Sequence, residues 1–530
     1  MLQTITAEHG LVVAPHHLAA TAGLQVLREG GDAVEAMIAA AATVSVVYPH
    51  MNGLGGDGFW LIDEPGRAPP RCIVAVGAAA GAADESFYRD QGLEAVPTRG
   101  PLAANTVAAT VSGWQAAFEI SRGWGGRLPL ERLLADAIRY AEAGYPVTGS
   151  QHENTLAKQG ELADVPGWAA HFLAAGQAPA PGVRFRQPAL AASLRRLASV
   201  GLDDFYRGEL ARAMAAELEQ CGSPLRLADL ERQRARVTEP LSVALDAATI
   251  YNAPPPCQGL ASLLILAIFE RLGCGEAEGF AHLHGLVEAT KQAFQIRDSE
   301  ITDPDFMTAD PAVLLGAESI ARLAGAIDPA KAQPWSSGAP GGDTVWLGAV
   351  DGAGRVVSFI HSIYWEFGSG LCLAETGVQW QNRGSSFALD PTRQNHLRPG
   401  RLPFHTNNPA LARFNDGRVM AYGAMGGDGQ PQSQAAVFSR YGLFGQGLQA
   451  AVTAPRWVLG RTWGTQRVNL RLESRFPDEL IAALRAAGHD VELVAPFDEV
   501  MGHAGAAVRH PNGLLEGASD PRCDGAVSAF

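Results

Sequence analysis

At 530 residues with 47% hydrophobic and 18% charged positions, the chain holds ample apolar material for a globular core. Its formal net charge of −14 leaves no basic stripe to neutralise phosphates, so a nucleic-acid partner is not expected. No segment nears the roughly 18 uninterrupted apolar residues of a membrane span, and the N-terminal residues lack a basic region followed by an apolar run; neither membrane nor signal peptide is expected, and the expected compartment is the cytoplasm.

In chain order, His17 to Val47 reads as two helices broken at Gly30-Gly31. Phe59 to Asp63 and Cys72 to Val76 read as strands. From Leu128 to about Arg236 the apolar spacing is helical, as in Leu130, Leu133, Leu134 and Ile138. Leu241 to Ile250 reads as one strand stopped by Pro254-Pro255-Pro256. Leu260 to Leu272 and Phe280 to Ile296 read as long helices. Residues Asp328 to Gly342, rich in Ala, Pro, Ser and Gly, read as a linker. Everything beyond it reads as strand-rich: Val345–Val350, Val356–Ser362, Gly377–Gln381, Val419–Tyr422, Val468–Leu472 and Ala506–His510. This order fits a layered α/β protein, two packed sheets covered by helices. The six cysteines are far apart and form no C-x-x-C pair, which reads as free thiols rather than a disulfide framework.

Several motifs carry chemistry, each beside a plainer reading. Gly53-Leu54-Gly55-Gly56-Asp57-Gly58 matches G-x-G-x-x-G, but a helix precedes it and a strand follows, the reverse of a dinucleotide site; it reads as a tight turn. His282 and His284, with Glu288, Lys291 and Arg297, lie on or beside one helix without H-E-x-x-H, which reads as helix packing with ion pairs rather than zinc. No G-x-S-x-G elbow occurs. Gly426-Gly427 follows the strand Val419–Tyr422, where two amides can form an oxyanion hole or simply turn the chain.

Gly341-Gly342-Asp343-Thr344 delivers a threonine to the start of an apolar strand. That is ordinary β-propensity, or it is a nucleophile. A threonine hydroxyl needs a base beside it. A cut before Thr344 supplies one, because an α-amino group titrates near ~7.7–8.0.

The chain resembles the γ-glutamyltransferase family of N-terminal-nucleophile hydrolases nearly end to end. Gly30-Gly31-Asp32-Ala33-Val34-Glu35-Ala36 is similar to that family's G-G-N-A-V-D-A, and Tyr48-Pro49-His50 to Gly58-Phe59 to its E-P-H-S-S-G-I-G-G-G-G-F. Asp303-Pro304-Asp305-Phe306 is similar to its D-P-D-F, and Gly517 to Arg522 matches its G-A-S-D-P-R. The resemblance implies a four-layer αββα sandwich and a proenzyme that cuts itself between Asp343 and Thr344. Its products, 1–343 and 344–530, would remain one structural domain, with a homodimer of that processed pair as a further expectation. It also implies that Thr344 is the nucleophile, that Ser362 is the hydroxyl residue near it, and that Gly426 and Gly427 form the oxyanion hole. Thr406 matches the second of a serine pair beside the substrate, and His405 replaces the first.

The departures bear on specificity. The stretch Ala75 to Gly81 lacks the arginine that holds the substrate's α-carboxylate in the transferases. Where those enzymes place Asn, Gln and Asp around the α-amino group, this chain has Tyr364, Arg383 and Ser386. A guanidinium cannot accept hydrogen bonds from an ammonium, whereas its planar fork suits a carboxylate. Ser362 to Gly370 and Trp380 to Phe387 look most like the branch that includes oxamate amidohydrolase. The expected activity is therefore hydrolysis of a small carboxylate-bearing amide, without cofactor or metal. The alternatives are a γ-glutamyl transferase or hydrolase, a cephalosporin-type acylase, and an unprocessed binding protein.

Overall fold

Leu11 and Val13 face one side of the strand Leu11–Ala14 while Val12 and Ala14 face the other, yet all four are buried. The strand Asp57–Asp63 is likewise buried on both faces. Such strands need cover above and below, which places their sheet inside a stack of layers. The computed structural model describes residues 3–335, 343–460 and 468–530.

Two seven-stranded sheets form the interior. Edge to edge, one runs Ala526–Ala529, Leu11–Ala14, Asp343–Val350, Val356–Tyr364, Asp57–Asp63, Arg71–Ala75 and Arg236–Thr238. The other runs Ile5–Ala7, Leu515–Ser519, Ala504–Arg509, Val419–Ala424, Ala410–Phe414, Ala248–Asn252 and Leu241–Ala244. Both therefore draw strands from either side of residue 343.

Between the sheets, Leu11, Val13, Phe59 and Leu61 meet Tyr251, Leu411, Ala421 and Ala507. The outer face of the first sheet, with Val12, Trp60 and Ile62, packs on the helices His17–Arg28, Ala33–Val47 and Thr110–Gly123. The outer face of the second, with Ile250, Ala412 and Met420, packs on Gly259–Arg271, Phe280–Glu300 and Gly429–Phe438. The result is the expected αββα order. Helix Ala33–Val47 is buried along its whole length, and Asp32 opens it with a capping box that includes Glu35.

Some elements differ from expectation. Leu241 to Ile250 is a hairpin, Leu241–Ala244 with Ala248–Asn252, because Asp246 turns the chain between two short apolar runs. Gly377–Gln381 makes only isolated bridges, Cys372 with Gln379 and Gly55 with Trp380. Helices Gly429–Phe438, Leu448–Thr453 and Asp478–Ala486 interrupt the segment expected to be strand-rich. The first of these is buried on every face, so it shows no amphipathic period to read. Of the expected linker, residues 336–342 lie outside the described residues. All six cysteines are free.

Candidate active site

Thr344 opens the strand Asp343–Val350 beside the last residues of Val356–Tyr364. The ladder pairs Asp343 with Tyr364 and Val345 with His361, so its register shifts at Thr344. A bulge of this kind bends the strand and re-aims a side chain. Thr344 is fully buried. Its Oγ1 donates to Asn407 Oδ1 at 3.1 Å and accepts from Gln430 Nε2 at 2.9 Å. Gln430 is held in turn, its Oε1 accepting from the Asn408 amide at 3.2 Å.

The loop carrying Gly426 and Gly427 leaves the strand Val419–Ala424 and enters the helix Gly429–Phe438. Both glycines have positive φ, 118° and 56°, a region that side chains resist. A buried brace fixes this loop. Gln258 Nε2 donates to the carbonyls of Thr406 at 2.6 Å and Gly427 at 2.9 Å. Arg297 Nη1 donates to Gln258 Oε1 at 3.0 Å and to Asp428 Oδ1 at 2.7 Å. The brace ties the loop of Thr406 to the loop of the glycine pair.

Arg383 has no exposed surface. Its guanidinium lies 3.8 Å above the Tyr364 ring, and donates to Thr406 Oγ1 at 3.3 Å and Asn407 Oδ1 at 3.4 Å. Among the described residues no carboxylate stands within ion-pair distance of it. Burial lowers its pKa to about 10, partly offset by Tyr364 and Asp57. Tyr364 itself sits at φ 82°, an unusual value for a bulky residue, and its amide donates to Ser362 Oγ at 2.8 Å.

Asp57 is electrostatically coupled to Arg383. Its Oδ1 accepts from the amides of Gly77 at 3.1 Å and Ala109 at 3.2 Å, and its Oδ2 stands 3.1 Å from His405 Nε2. Burial pushes the Asp57 carboxyl up to about 7, against the pull of Arg383. Burial, reinforced by Arg383, holds His405 well below its ordinary value, so its ring is neutral. The stretch that lacks the transferases' arginine thus contributes Gly77, a backbone donor to an acid.

The structure brings Thr344, Ser362, Tyr364, Arg383 and Thr406 together, with His405 behind them. Ser386 turns away: its Oγ donates to the Phe404 carbonyl at 3.4 Å, which supports the loop leading to His405. Gly53 to Gly58 is a tight turn into a strand. A Cβ at Gly55 would fall 1.9 Å from the Gln379 carbonyl oxygen, and one at Gly56 2.2 Å from that of Ser362. Sequence reading missed Asn407, Gln430, Gln258 and Asp428, whose partners lie far away along the chain, and it read Arg297 as an ion-paired packing residue without its link to the Gly427 loop. Asp57 was in view inside the glycine motif, where it read as part of a turn.

A second buried cluster lies elsewhere. Ligand atoms of His284, Glu288 and His489 fall within 4.8 Å of one another. Lys291 Nζ donates to Glu288 Oε1 at 2.6 Å, and the two imidazoles meet at 2.9 Å. The lysine ammonium supplies the positive charge there, in a packed ion-pair arrangement.

Comparison with known proteins accords with this geometry. The chain is 56% identical over 523 residues to the oxamate amidohydrolase proenzyme of Klebsiella pneumoniae subsp. pneumoniae, covering 98% of each. It is 39% identical over 536 residues to the glutathione hydrolase-like YwrD proenzyme of Bacillus subtilis, covering 99% of each. Among solved structures, the cephalosporin acylase from Bacillus halodurans superposes with a TM-score of 0.91 at 32% identity, covering 100% of this chain and 97% of that one. The gamma-glutamyltranspeptidase model matches residues 19–530, and the chain belongs to that family, with the N-terminal-nucleophile hydrolase fold.

Proposed function

We propose that this protein is a self-processing amidohydrolase that releases ammonia from a small amide carrying a carboxylate, oxamate giving oxalate being the type reaction. One observation carries the reading: Arg383 is a buried cation without a carboxylate partner among the described residues, separated from Thr344 only by the Asn407 oxygen both contact. A buried charge calls for a counter-charge, and a substrate carboxylate placed next to the scissile carbonyl would supply it. The relationship to the oxamate amidohydrolase proenzyme supports the same substrate class.

In the maturation step, Thr344 Oγ attacks the Asp343 carbonyl. The peptide C–N bond breaks as an ester forms, and water then splits that ester. The products are a carboxyl on Asp343 and a free amine on Thr344, giving fragments 1–343 and 344–530 that stay associated. In turnover the new amine takes the hydroxyl proton while Oγ adds to the substrate amide. The oxyanion rests on the amides of Gly426 and Gly427. The amine returns the proton to the leaving ammonia, and water resolves the acyl-enzyme. No step calls on a cofactor, and the cytoplasm is the proposed compartment.

A γ-glutamyl substrate is poorly served here. Arg383 lies where an α-ammonium would have to sit, and like charges repel. Ammonia or amine release should be measured on oxamate, glutathione and a glutaryl amide. A kcat/KM for glutathione equal to or above that for oxamate overturns the proposal.

A further inference from the structure

Three consecutive residues, His405, Thr406 and Asn407, each touch a different member of the site. Asn407 Oδ1 accepts from Thr344, Thr406 Oγ1 accepts from Arg383, and His405 Nε2 stands against Asp57 Oδ2. In extended chain two residues advance about 7 Å. The segment therefore reaches from beside Thr344 to beside Asp57.

A comparable span separates the same groups across the sheet. Thr344, Ser362 and Asp57 lie nearly level on three neighbouring strands, Ser362 pairing directly with Asp57. Strands are about 4.8 Å apart, so Asp57 stands about 10 Å from Thr344. With small residues at the far end, this span is long enough for a five-carbon acyl group. It is filled instead.

The His405 imidazole is fully buried, edge-on to Phe59 with centroids 5.3 Å apart. Its backbone is clamped on both sides: its amide donates to the Pro256 carbonyl at 2.9 Å, and its carbonyl accepts from the Gln258 amide at 2.9 Å. These bonds fix the position of its Cα beside Phe59. Asp57 is pinned by two backbone amides. The two positions stand where the family's motifs carry a serine and a glycine.

We infer that His405 and Asp57 form the end wall of the acyl pocket and set its length, so that an amide with its carboxylate next to the scissile carbonyl fits and a five-carbon acyl chain does not. The inference rests on the proposed amidohydrolase reading and adds Asp57 as a specificity-determining residue. Its Oδ2 packs 3.1 Å from the imidazole, so the two side chains fill the end of the site together, while Arg383 takes the carboxylate.

The test uses full-length protein carrying Asp57→Gly with His405→Ser, assayed on oxamate and on the monoamide of glutaric acid. Self-cleavage, followed on a denaturing gel, should persist. The kcat/KM for oxamate should fall about tenfold and that for the five-carbon amide should rise about tenfold, the scale of a change in pocket size. A cut, folded double variant whose ratio of the two stays within about threefold of the parent overturns the wall. Should the double variant fail to fold, His405→Ala and His405→Gln decide. Alanine should shift the ratio toward the longer amide, while glutamine, which keeps the bulk, should hold it; equal ratios for the two overturn the inference. A parent protein that cuts itself yet releases ammonia from neither amide defeats the proposed function instead, so the two failures are distinguishable.

Discussion

Thr344 and Arg383 meet on one atom, the Oδ1 of Asn407, which accepts from the threonine hydroxyl at 3.1 Å and from the guanidinium at 3.4 Å. The group proposed to break the amide and the group proposed to hold its carboxylate are therefore positioned by the same side chain. A carboxylate separated from the scissile carbonyl by several methylenes would overshoot Arg383.

Thr344→Ala should give a folded, full-length and inactive chain, because one hydroxyl is proposed to serve both self-cleavage and turnover. In the parent, N-terminal sequencing of the small fragment should begin Thr-Val-Trp-Leu. Another start, or activity in the alanine variant, removes the nucleophile assignment.

Arg383→Ala should still cut itself, since that step needs no substrate. Its kcat/KM for oxamate should drop about ten- to a hundredfold, from a charge-assisted hydrogen bond of roughly 1.5–3 kcal/mol. Lysine should rescue only in part, because a point charge lacks the fork. Steady-state kinetics within about twofold of the parent would reject the anchor.

Gln430→Ala removes the donor to Thr344 Oγ1 and leaves the Asn408 amide without its acceptor. Losing a buried partner costs about 1–3 kcal/mol. The cut should slow about tenfold or more, measured as the decay of the full-length band after synthesis. A cleavage rate equal to the parent's would show that Gln430 does not orient the hydroxyl.

Arg297→Met should lower stability by about 3–5 kcal/mol, because it removes one partner of a buried ion pair. Both side chains have no exposed surface. Denaturant unfolding measures the loss. Pairing Arg297→Met with Asp428→Leu should recover part of it.

Asp57 gives a pH signature. Its folded pKa, about 7, lies above the ordinary carboxyl value of 3.8, so the folded state binds the proton more tightly than the unfolded chain. The associated stability is fully present below about pH 4 and is lost as pH rises through about 7. Asp57→Asn cannot ionise and should escape this loss. Its melting temperature relative to the parent should therefore climb between pH 5 and pH 8, and a pH-independent difference would contradict the buried-acid assignment.

The sequence exposed what is local or repeated along the chain. Helix Ala33–Val47 was legible from its break at Gly30-Gly31, and the strands flanking Asp351-Gly352 from their apolar runs. Helix Gly429–Phe438 was not, since burial on all sides erases its period. At the proposed site, Thr344, Gly426 and Gly427 are the residues that turn chemistry and motif order single out. Asn407 and Gln430 were not: they reach Thr344 across 63 and 86 residues, and a neutral amide has no distinctive pattern until the fold gives it a partner. Arg383 was visible as a departure, but only burial and the shared Asn407 oxygen give it a direction.

The interleaving of strands from both sides of residue 343 has a kinetic consequence. Leu11–Ala14 lies between Ala526–Ala529 and Asp343–Val350, and Asp57–Asp63 lies against Val356–Tyr364. Before the proposed cut ahead of Thr344, folding is unimolecular and independent of concentration. After it, each fragment lacks the neighbours that complete its sheets, so regaining the fold from denaturant becomes a bimolecular encounter between two incomplete chains that expose unpaired strand edges. The uncut protein should refold at dilutions where the mature one aggregates. The working lifetime of the mature protein is then set by how slowly it first comes apart.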